Sequence, residues 1–271
     1  MSIYTGVGSS ARALNKLYVG VGGQARQVTK AYVGVGGQAR LIYNYGIPLS
    51  DLVVGRVIPI SVGGTYRNFY VIHQGNPDTS IYDSSCNGTW LMGQQIYTTS
   101  MQYSPWGRTD CPMYKYMNDT FLNSIEAGVR NNIKQVKIPY AEGWTESKWH
   151  LGSNGASCKV FPLSFHEMFS SSSQEYKDNL NVLKNCYYGK DGALLSYFKD
   201  HTTAADRAAY NLSNVSSTYW LRSYYNGSYP GYIAMGGALE HGGYTNAKGL
   251  RPVFILPSSM TISPDTGRIQ T

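Results

Sequence analysis

The residues most able to catalyse a reaction or to hold a metal are few in this sequence, and their spacing matches no catalytic motif. The chain of 271 residues contains five histidines, 16 acidic residues and four cysteines. A metalloprotease helix needs a second histidine four positions after the first, and His166-Glu167 has none there. There is no Gly-x-Ser-x-Gly elbow, no Cys-x-x-Cys pair and no acidic cluster typical of a calcium or glycosidase site. We therefore predict a protein that is not an enzyme and that has no metal and no cofactor. A serine, a histidine and an aspartate from distant positions can still meet in a fold, which sequence alone does not decide.

Tyrosine is the residue type that points to a different chemistry, because the chain has 24 of them. A tyrosine side chain combines a rigid apolar ring with a polar hydroxyl, and Ser, Gly and Asn adapt around it, as in antibody binding loops. Residues 224–246 have this composition and predict a ligand-binding surface. Its candidate residues are Tyr224, Tyr225, Asn226, Ser228, Tyr229, Tyr232, His241, Tyr244 and Asn246. The alternative is that about half of these tyrosines pack on the domain core.

Short strands within this segment and on either side of it must position it. The predicted strands are Tyr219–Arg222, Tyr232–Met235 and Gly249–Leu256, with glycine-rich loops between them. We expect Trp220 to lie in the core, and Arg222 and Arg251 to support loops through hydrogen bonds. The other predicted core residues are Trp149, Phe161 and Phe165.

The part of the chain that precedes these strands has a mixed pattern. Predicted strands are Val53–Ile60, Asn68–His73, Val136–Pro139 and Lys159–Pro162, with a Gly63-Gly64 turn between the first two. Apolar residues at helical spacing predict a helix over Pro112–Ile125 and a second short helix that ends near Asn131. Ser164 and Glu167 form a capping box that begins a helix over Ser164–Phe169. We interpret residues 170–217, rich in Ser, Asn and Lys, as an insertion.

Three 14-residue repeats occupy the N-terminal region. Three positions of the repeat are identical in all units. They are occupied by Tyr4, Tyr18 and Tyr32, by Gly6, Gly20 and Gly34, and by Arg12, Arg26 and Arg40. Each unit predicts a β-hairpin, and in the second and third units Gly-Gly supplies the positive φ of a tight turn. One two-stranded hairpin cannot bury a face alone. We therefore expect residues 1–47 to stack on each other or on the same segments of neighbouring subunits, and to serve attachment or oligomerisation.

The formal charge of +7 is concentrated in these repeats, because residues 1–46 contain five Lys and Arg and no acid. Since there is no recognition helix, aromatic RNP-like strand or phosphate loop, we expect no nucleic-acid binding. The apolar runs are too short to span a bilayer, and the start Met1-Ser2-Ile3-Tyr4 is unlike a signal peptide, so we expect no membrane insertion. The expected buried, reduced thiols are those of Cys86, Cys111, Cys158 and Cys186.

Several motifs together resemble one known group of proteins. They are Gly55-Arg-Val57, Tyr116–Phe121, Val160–Ser164 with Glu167, Trp220-Leu-Arg-Ser223 and Gly249-Leu-Arg-Pro-Val-Phe254. Over residues 50–257 the chain resembles bacterial and phage domains related to formylglycine-generating enzyme. The resemblance implies an α+β domain with the C-type lectin fold over residues 48–271, preceded by the β-hairpin repeat region. The related oxidase uses two cysteines in the C-terminal part of the fold. Since no cysteine follows Cys186 here, the resemblance does not imply inherited catalysis.

Some members of this group are the variable proteins of diversity-generating retroelements. In them, adenines of a C-terminal repeat are randomised, and the altered side chains form a ligand-binding surface. Their variable stretch lies between the counterparts of Trp220–Ser223 and Gly249–Pro252. Tyr, Ser, Gly, His and Asn, which all occur in this interval, are reachable from an Asn codon by changing adenines alone.

The N-terminal repeats are also similar to those of tail-associated proteins from phages and prophages of Gram-positive gut bacteria. The resemblance therefore implies a protein made in the bacterial cytoplasm and located in the virion tail. Its implied partners are a host-cell-surface protein or glycan and, through the repeats, other tail proteins. A homo-oligomer, with three subunits as the expected number, is implied as well. The alternative is a fixed structural or decoration component of the tail without diversified binding.

Overall fold

A computed structural model of the protein describes residues 4–7, 10–13, 17–28, 30–44, 46–103, 105–107, 110–142, 148–170, 191–223, 230–243 and 245–271. Most of its regular elements are strands, joined by a few short helices. The predicted α+β class is therefore confirmed.

The N-terminal repeats form three separate hairpins, as predicted. Their strands are β1 (Tyr4–Val7) with β2 (Ser10–Ala13), β3 (Leu17–Val21) with β4 (Gln24–Val28), and β5 (Lys30–Val35) with β6 (Gln38–Asn44). The turn glycines have positive φ angles of 60° and 77° at Gly22 and Gly23, and the same values at Gly36 and Gly37. Glycine is needed there because a Cβ atom disfavours this conformation.

The remaining strands belong to residues 46–271 and are short. In chain order they are β7 (Ile47–Pro48), β8 (Val57–Val62), β9 (Thr65–Gly75), β10 (Gly88–Gly93), β11 (Gln95–Ile96), β12 (Thr98–Gln102), β13 (Val136–Ile138), β14 (Tyr140–Ala141), β15 (Trp149–His150), β16 (Ala156–Cys158), β17 (Val160–Phe161), β18 (Ala209–Asn211), β19 (Ser216–Ser217), β20 (Tyr219–Trp220), β21 (Gly231–Ile233), β22 (Leu239–His241), β23 (Ala247–Leu250), β24 (Val253–Leu256), β25 (Thr261–Ile262) and β26 (Ile269–Gln270).

Helical segments connect these strands. Helix α1 consists of α-helical Pro112–Lys115, π-helical Tyr116–Phe121 and α-helical Leu122–Ser124, and the others are α2 (Ala127–Arg130), α3 (Phe165–Met168), α4 (Ser196–Asp200) and α5 (Ala204–Arg207). Two 3-10 turns cover Leu49–Asp51 and Ser84–Cys86. The capping box predicted from Ser164 and Glu167 is present at the start of α3. The helices predicted over Pro112–Ile125 and up to Asn131 are confirmed within one residue.

The first sheet has the order β17-β24-β10-β9-β8, and all its pairs are antiparallel. Trp90 on β10 is fully buried, and its ring meets those of Tyr82 and Phe161 edge to face at 5.6 and 5.5 Å between centroids. Its indole N–H donates to the Cys86 carbonyl at 3.0 Å. This sheet is the centre of the hydrophobic core.

The second sheet has the order β12-β23-β20-β21-β22. Strand β20 is antiparallel to β21 and parallel to β23, and β21 is antiparallel to β22. The chain passes from this sheet to the first one through Arg251 and Pro252, which separate β23 from β24. Strands are thus confirmed at Tyr219–Trp220 and at Gly231–Ile233, close to the predicted bounds. The single strand predicted over Gly249–Leu256 is wrong, because Arg251 and Pro252 divide it between two sheets, and β22 is an additional strand.

The two ends of the C-terminal region meet in one small sheet. Strand β25 pairs with β7 on one side and with β26 on the other. Because β7 consists of Ile47 and Pro48, the predicted boundary between residues 47 and 48 falls inside this strand, and the division into two domains stays a prediction.

Two further predictions differ from the structure. The strand predicted from Val53 begins only at Val57, because Val53 is 73% exposed and Gly55 has a φ of 89° in a turn. Trp149, predicted as a core residue, is only partly buried on β15 at the edge of a two-stranded sheet. Phe161, Phe165 and Trp220 are fully buried, as predicted.

The segment interpreted as an insertion contributes to the core where the structure describes it. Asp191, Leu195, Phe198 and Ala209 are buried, and β18 pairs with β11. Residues 171–190 lie outside the described residues. Cys86, Cys111 and Cys158 are free and buried, as expected, and Cys186 lies outside the described residues.

Candidate ligand-binding face

The second sheet packs one face on the hydrophobic core, and on its other face burial decreases from Trp220, which is fully buried, to Glu240, which is exposed. The residues whose side chains point to the core are Tyr219, Ile233 and Leu239, at most 5% exposed. Trp220 is directly opposite Tyr232 in the pairing of β20 with β21, and Tyr232 is directly opposite Glu240 in the pairing of β21 with β22. Since directly paired residues share a face of a sheet, Trp220, Tyr232 and Glu240 form a row across three strands. We call this row, together with Lys248 on β23, the outer face.

Lys248 packs over the rings of this row. Its Nζ lies 3.5 Å from the centroid of the Tyr232 ring and 5.2 Å from that of Trp220, and the whole residue is 8% exposed. An ammonium group over two aromatic faces is held by cation–π attraction. Burial lowers the pKa of Lys248, and the negative charge of Glu240 opposes that shift. The amino group is therefore a partly desolvated cation, held in place by two rings.

Tyr232 is fixed from both ends. Its hydroxyl donates a hydrogen bond to Oε2 of Glu240, and its ring meets Trp220 edge to face at 5.7 Å between centroids. Burial and the Glu240 carboxylate raise the pKa of Tyr232 to about 12. The hydroxyl thus remains protonated at neutral pH and keeps donating to Glu240.

The connection between β22 and β23 crosses the outer face. In the sheet these two strands are separated by β20 and β21, so residues 242–246 must pass over both of them. Gly242 lies against Tyr232, since a Cβ atom at Gly242 would be 3.1 Å from Cε1 of that ring. The amide of Gly242 donates to the Pro230 carbonyl at 3.3 Å. The start of the crossing segment is therefore held beside Pro230, which directly precedes β21.

Two of the predicted ligand-binding residues belong to this surface: Tyr232 lies on the outer face itself, and Asn246, which is exposed, lies in the crossing segment just before β23. His241 ends β22 and is exposed, but the alternation of side chains along the strand places it on the same face as Leu239, opposite to Glu240. The other predicted residues, Tyr224, Tyr225, Asn226, Ser228, Tyr229 and Tyr244, lie outside the described residues. Sequence reasoning missed Glu240 and Lys248. Neither β22, which reads Leu-Glu-His, nor β23, which reads Ala-Lys-Gly-Leu, has a regular alternation of apolar and polar residues that would have found them.

A buried ionic network fixes the chain where β20 ends and residues 224–229 begin. Arg222 donates two hydrogen bonds of 2.6 Å to the two carboxylate oxygens of Glu167, and both side chains are fully buried. Arg222 also donates to the carbonyls of Pro139, Pro162 and Asp191. Burial alone would lower the pKa of Arg222, but the Glu167 carboxylate raises it above the ordinary value. The predicted role of Arg222 as a support for loops is confirmed.

The same network includes Tyr82 and the start of α3. Oε1 of Glu167 accepts the Tyr82 hydroxyl at 2.7 Å, and Oε2 accepts the Ser164 amide at 2.8 Å. The carboxylate that completes the capping box is therefore also the partner of Arg222. This sharing ties α3 to the end of β20.

A serine, an aspartate and a histidine do meet in space beside this network. Ser223 donates to Oδ2 of Asp191 at 2.6 Å, and His166 Nδ1 lies 2.7 Å from Oδ1 of the same carboxylate. Ser223 Oγ in turn accepts the Phe165 amide at 2.7 Å. Burial would raise the pKa of Asp191, but the hydrogen bond from His166 keeps it below the usual range. In a nucleophilic triad the histidine lies between the serine and the carboxylate. Here the carboxylate lies in the middle, so the arrangement binds two loops together instead of activating Ser223.

Arg251 directly follows β23 and supports the chain there. It donates to the Gly93 carbonyl at 2.8 Å and to the Tyr219 hydroxyl at 3.2 Å, and Tyr219 donates to the Arg207 carbonyl at 2.6 Å. The prediction that Arg251 supports loops through hydrogen bonds is confirmed.

The described part of the chain has neither a metal-binding cluster nor a membrane-spanning helix. No group of three or more His, Cys, Asp or Glu side chains there is arranged to hold a metal ion. No helix among the described residues is long and apolar enough to cross a membrane.

Comparison with known proteins gives one match. The model of the family described as "Domain of unknown function (DUF6273)" matches residues 87–258, which is more than half of the chain. No curated protein and no solved structure matches. The matched region contains Arg222, Glu167 and the outer face, and it excludes the hairpin repeats. The chain therefore belongs to the DUF6273 family.

Proposed function

We propose that the protein is a non-enzymatic ligand-binding protein, and that it binds its ligand with the outer face and the two segments beside it, residues 224–229 and 242–246. The observation that carries the proposal is the rigid support at both ends of residues 224–229. Ser223 and Pro230 are buried, and Arg222 is held by five hydrogen bonds. Binding loops are commonly variable segments that a rigid scaffold positions.

The chemistry of the supported residues favours recognition. The sequence Tyr224-Tyr-Asn-Gly-Ser-Tyr229 supplies aromatic anchors and adaptable polar groups. Lys248 and Glu240 add one positive and one negative group to the same surface. Such a surface suits a protein or a glycan, whose apolar patches contact the rings and whose hydroxyl or amide groups bond to the polar side chains.

The finer identity of the domain is part of the proposal. We propose that residues 48–271 have the C-type lectin fold of the group related to formylglycine-generating enzyme. The support is that Trp220, Arg222 and Arg251, which belong to the motifs of that resemblance, are buried residues that organise the second sheet. On this basis the protein is a component of a phage or prophage tail, and its ligand lies on the host-cell surface.

Population sequencing tests whether the surface is diversified. The 3′ end of the gene is sequenced from many copies in one bacterial community. Diversified binding predicts substitutions at adenine positions in the codons of residues such as Tyr224, Asn226, Tyr232, His241 and Asn246, with Trp220, Arg222 and Gly249–Pro252 unchanged. A uniformly invariant region would contradict diversification and would favour a fixed structural or decoration role.

A further inference from the structure

The second and third hairpins expose large apolar side chains on both of their faces. These side chains are Tyr18, Val19, Val21, Tyr32, Val33 and Val35, which are 42–55% exposed. A two-stranded hairpin without a covered face is marginally stable in water. Contiguous exposed apolar residues of this kind are typical of an interaction surface.

The strand register divides each hairpin into two faces. Gly20 is paired with Ala25, and Gly34 with Ala39. Because side chains alternate along a strand, Tyr18 shares a face with Gly20 and Ala25, and Tyr32 shares a face with Gly34 and Ala39. We call these the tyrosine faces. Val19 and Val21, or Val33 and Val35, lie on the opposite face.

No contact or turn among the described residues explains the two glycines of the tyrosine faces. Neither Gly20 nor Gly34 has a positive φ, so no turn requires it. A Cβ atom added to either would meet no atom of the described residues within 4 Å. Glycine inside a strand weakens the strand, and it often marks a place where another molecule approaches closely. Since the same glycine occurs at position 6 of the first repeat, the close approach is a repeated feature.

We propose that copies of this chain associate through their tyrosine faces. A ring projects from each face at Tyr18 or Tyr32. Two residues further along the same strand lies a glycine, which forms a gap together with the alanine paired with it on the other strand. That separation is about 7 Å. When two such faces pack antiparallel, each tyrosine ring lies over the gap of the other copy, so the surface is complementary to itself.

The charge of the repeats gives this association a recognisable salt dependence. Residues 1–46 contain five basic residues and no acid, so two copies repel each other electrostatically. Salt screens this repulsion, and apolar packing is not weakened by it. Association between copies therefore strengthens as salt increases. Binding to an acidic partner through the same repeats would weaken instead.

Sedimentation velocity of the full-length chain tests the proposal. We expect the wild-type chain to sediment as a dimer or larger species, with a greater associated fraction when NaCl is raised from about 0.05 M to about 0.5 M. The variant Gly20→Thr/Gly34→Thr fills both gaps and should raise the dissociation constant by at least about tenfold. Threonine favours strand structure, so the single chain should keep its hairpins.

Gly236→Thr is the matched control, because Gly236 is exposed and also has nothing within 4 Å of an added Cβ. It should associate like the wild type. A wild-type chain that is monomeric at every concentration would overturn the proposal. So would a Gly20→Thr/Gly34→Thr variant that associates normally, or an association that weakens with salt. The measurement needs no ligand, so its failure is distinct from a failure of the ligand-binding proposal.

Discussion

Arg222 and Glu167 form a bidentate ion pair in which neither side chain has any exposed area, with both N–O distances at 2.6 Å. The two residues are 55 positions apart in the chain. The pair joins the first turn of α3 to the end of β20, directly before the residues that we propose bind the ligand. Several expected outcomes depend on this scaffold.

Removing the charge of Glu167 should destabilise the whole domain. In Glu167→Gln the buried guanidinium of Arg222 loses its counter-charge, and breaking a buried pair costs about 3–5 kcal/mol. Urea unfolding measures the change in the free energy of unfolding. Glu240→Gln is the control, because Glu240 is exposed and should cost less than about 1 kcal/mol. Equal effects of the two variants would show that the ion pair does not organise the fold.

Gly237 should tolerate no side chain, in contrast to its neighbour Gly236. Gly237 has a φ of 86°, and an added Cβ would lie 1.6 Å from the Ala204 carbonyl oxygen at the start of α5. We expect Gly237→Ala to lower the free energy of unfolding by at least about 2 kcal/mol. Gly236→Ala should be neutral or slightly stabilising. Thermal unfolding of the two variants compares them, and similar melting temperatures would contradict the packing of the β21–β22 turn on α5.

Stability should fall as the pH is lowered from 6.5 to about 4 because of His73. Burial, with a smaller contribution from the charge of Lys199, lowers the pKa of His73 from 6.5 to about 4. In this interval the unfolded chain binds a proton that the folded chain does not, so protonation favours unfolding. This loss of stability is absent above pH 6.5 and complete below about pH 4.

His73→Asn should reduce the change in the free energy of unfolding between pH 6.5 and about 4. Asparagine can still accept the Ser196 hydrogen bond that His73 Nδ1 makes at 2.9 Å, but it does not titrate. His241→Asn, at an exposed position, is the control and should keep the wild-type slope. Urea unfolding at several pH values provides the curves, and an unchanged slope in His73→Asn would exclude His73 as the source.

Lys248 and Tyr232 should be energetically coupled. A double-mutant cycle with Lys248→Met and Tyr232→Leu should give a coupling free energy of about 0.5–2 kcal/mol, because the cation–π contact is partly desolvated. The control cycle replaces Lys248→Met with Lys115→Met, at an exposed lysine of α1. We expect the control changes to be additive. A coupling near zero in the first cycle would mean that Lys248 does not hold Tyr232 in place.

Local patterns predicted the elements whose geometry is decided by neighbouring residues. The Gly-Gly turns of the hairpins and the capping box at Ser164 are of this kind, because φ preferences and side chain to backbone hydrogen bonds act within a few residues. The prediction that Trp220 lies in the core is confirmed, because a large apolar side chain within a strand is usually buried.

Long-range relationships were beyond the same reasoning. The pairing of Arg222 with Glu167, the crossing of residues 242–246 over β20 and β21, and the resulting position of Lys248 over Tyr232 depend on strand order, which periodicity does not encode. The strand predicted from Val53 begins four residues later, at Val57, because the turn at Gly55 overrides the β propensity of Val53 and Val54. The ligand-binding role of the residues within 224–229 stays a prediction.

The most direct test of ligand binding by the outer face is staining of bacterial cells with the labelled full-length chain. A panel of Gram-positive gut bacteria is examined by flow cytometry with the wild type, with Tyr224→Ala/Tyr225→Ala/Tyr229→Ala, and with the control Tyr66→Ala/Tyr210→Ala, whose tyrosines are exposed elsewhere. Circular dichroism verifies that all three are folded. We predict that the wild type and the control stain at least one strain and that the triple variant does not. Equal staining by the triple variant, or no staining of any strain by the wild type, would contradict the proposed function.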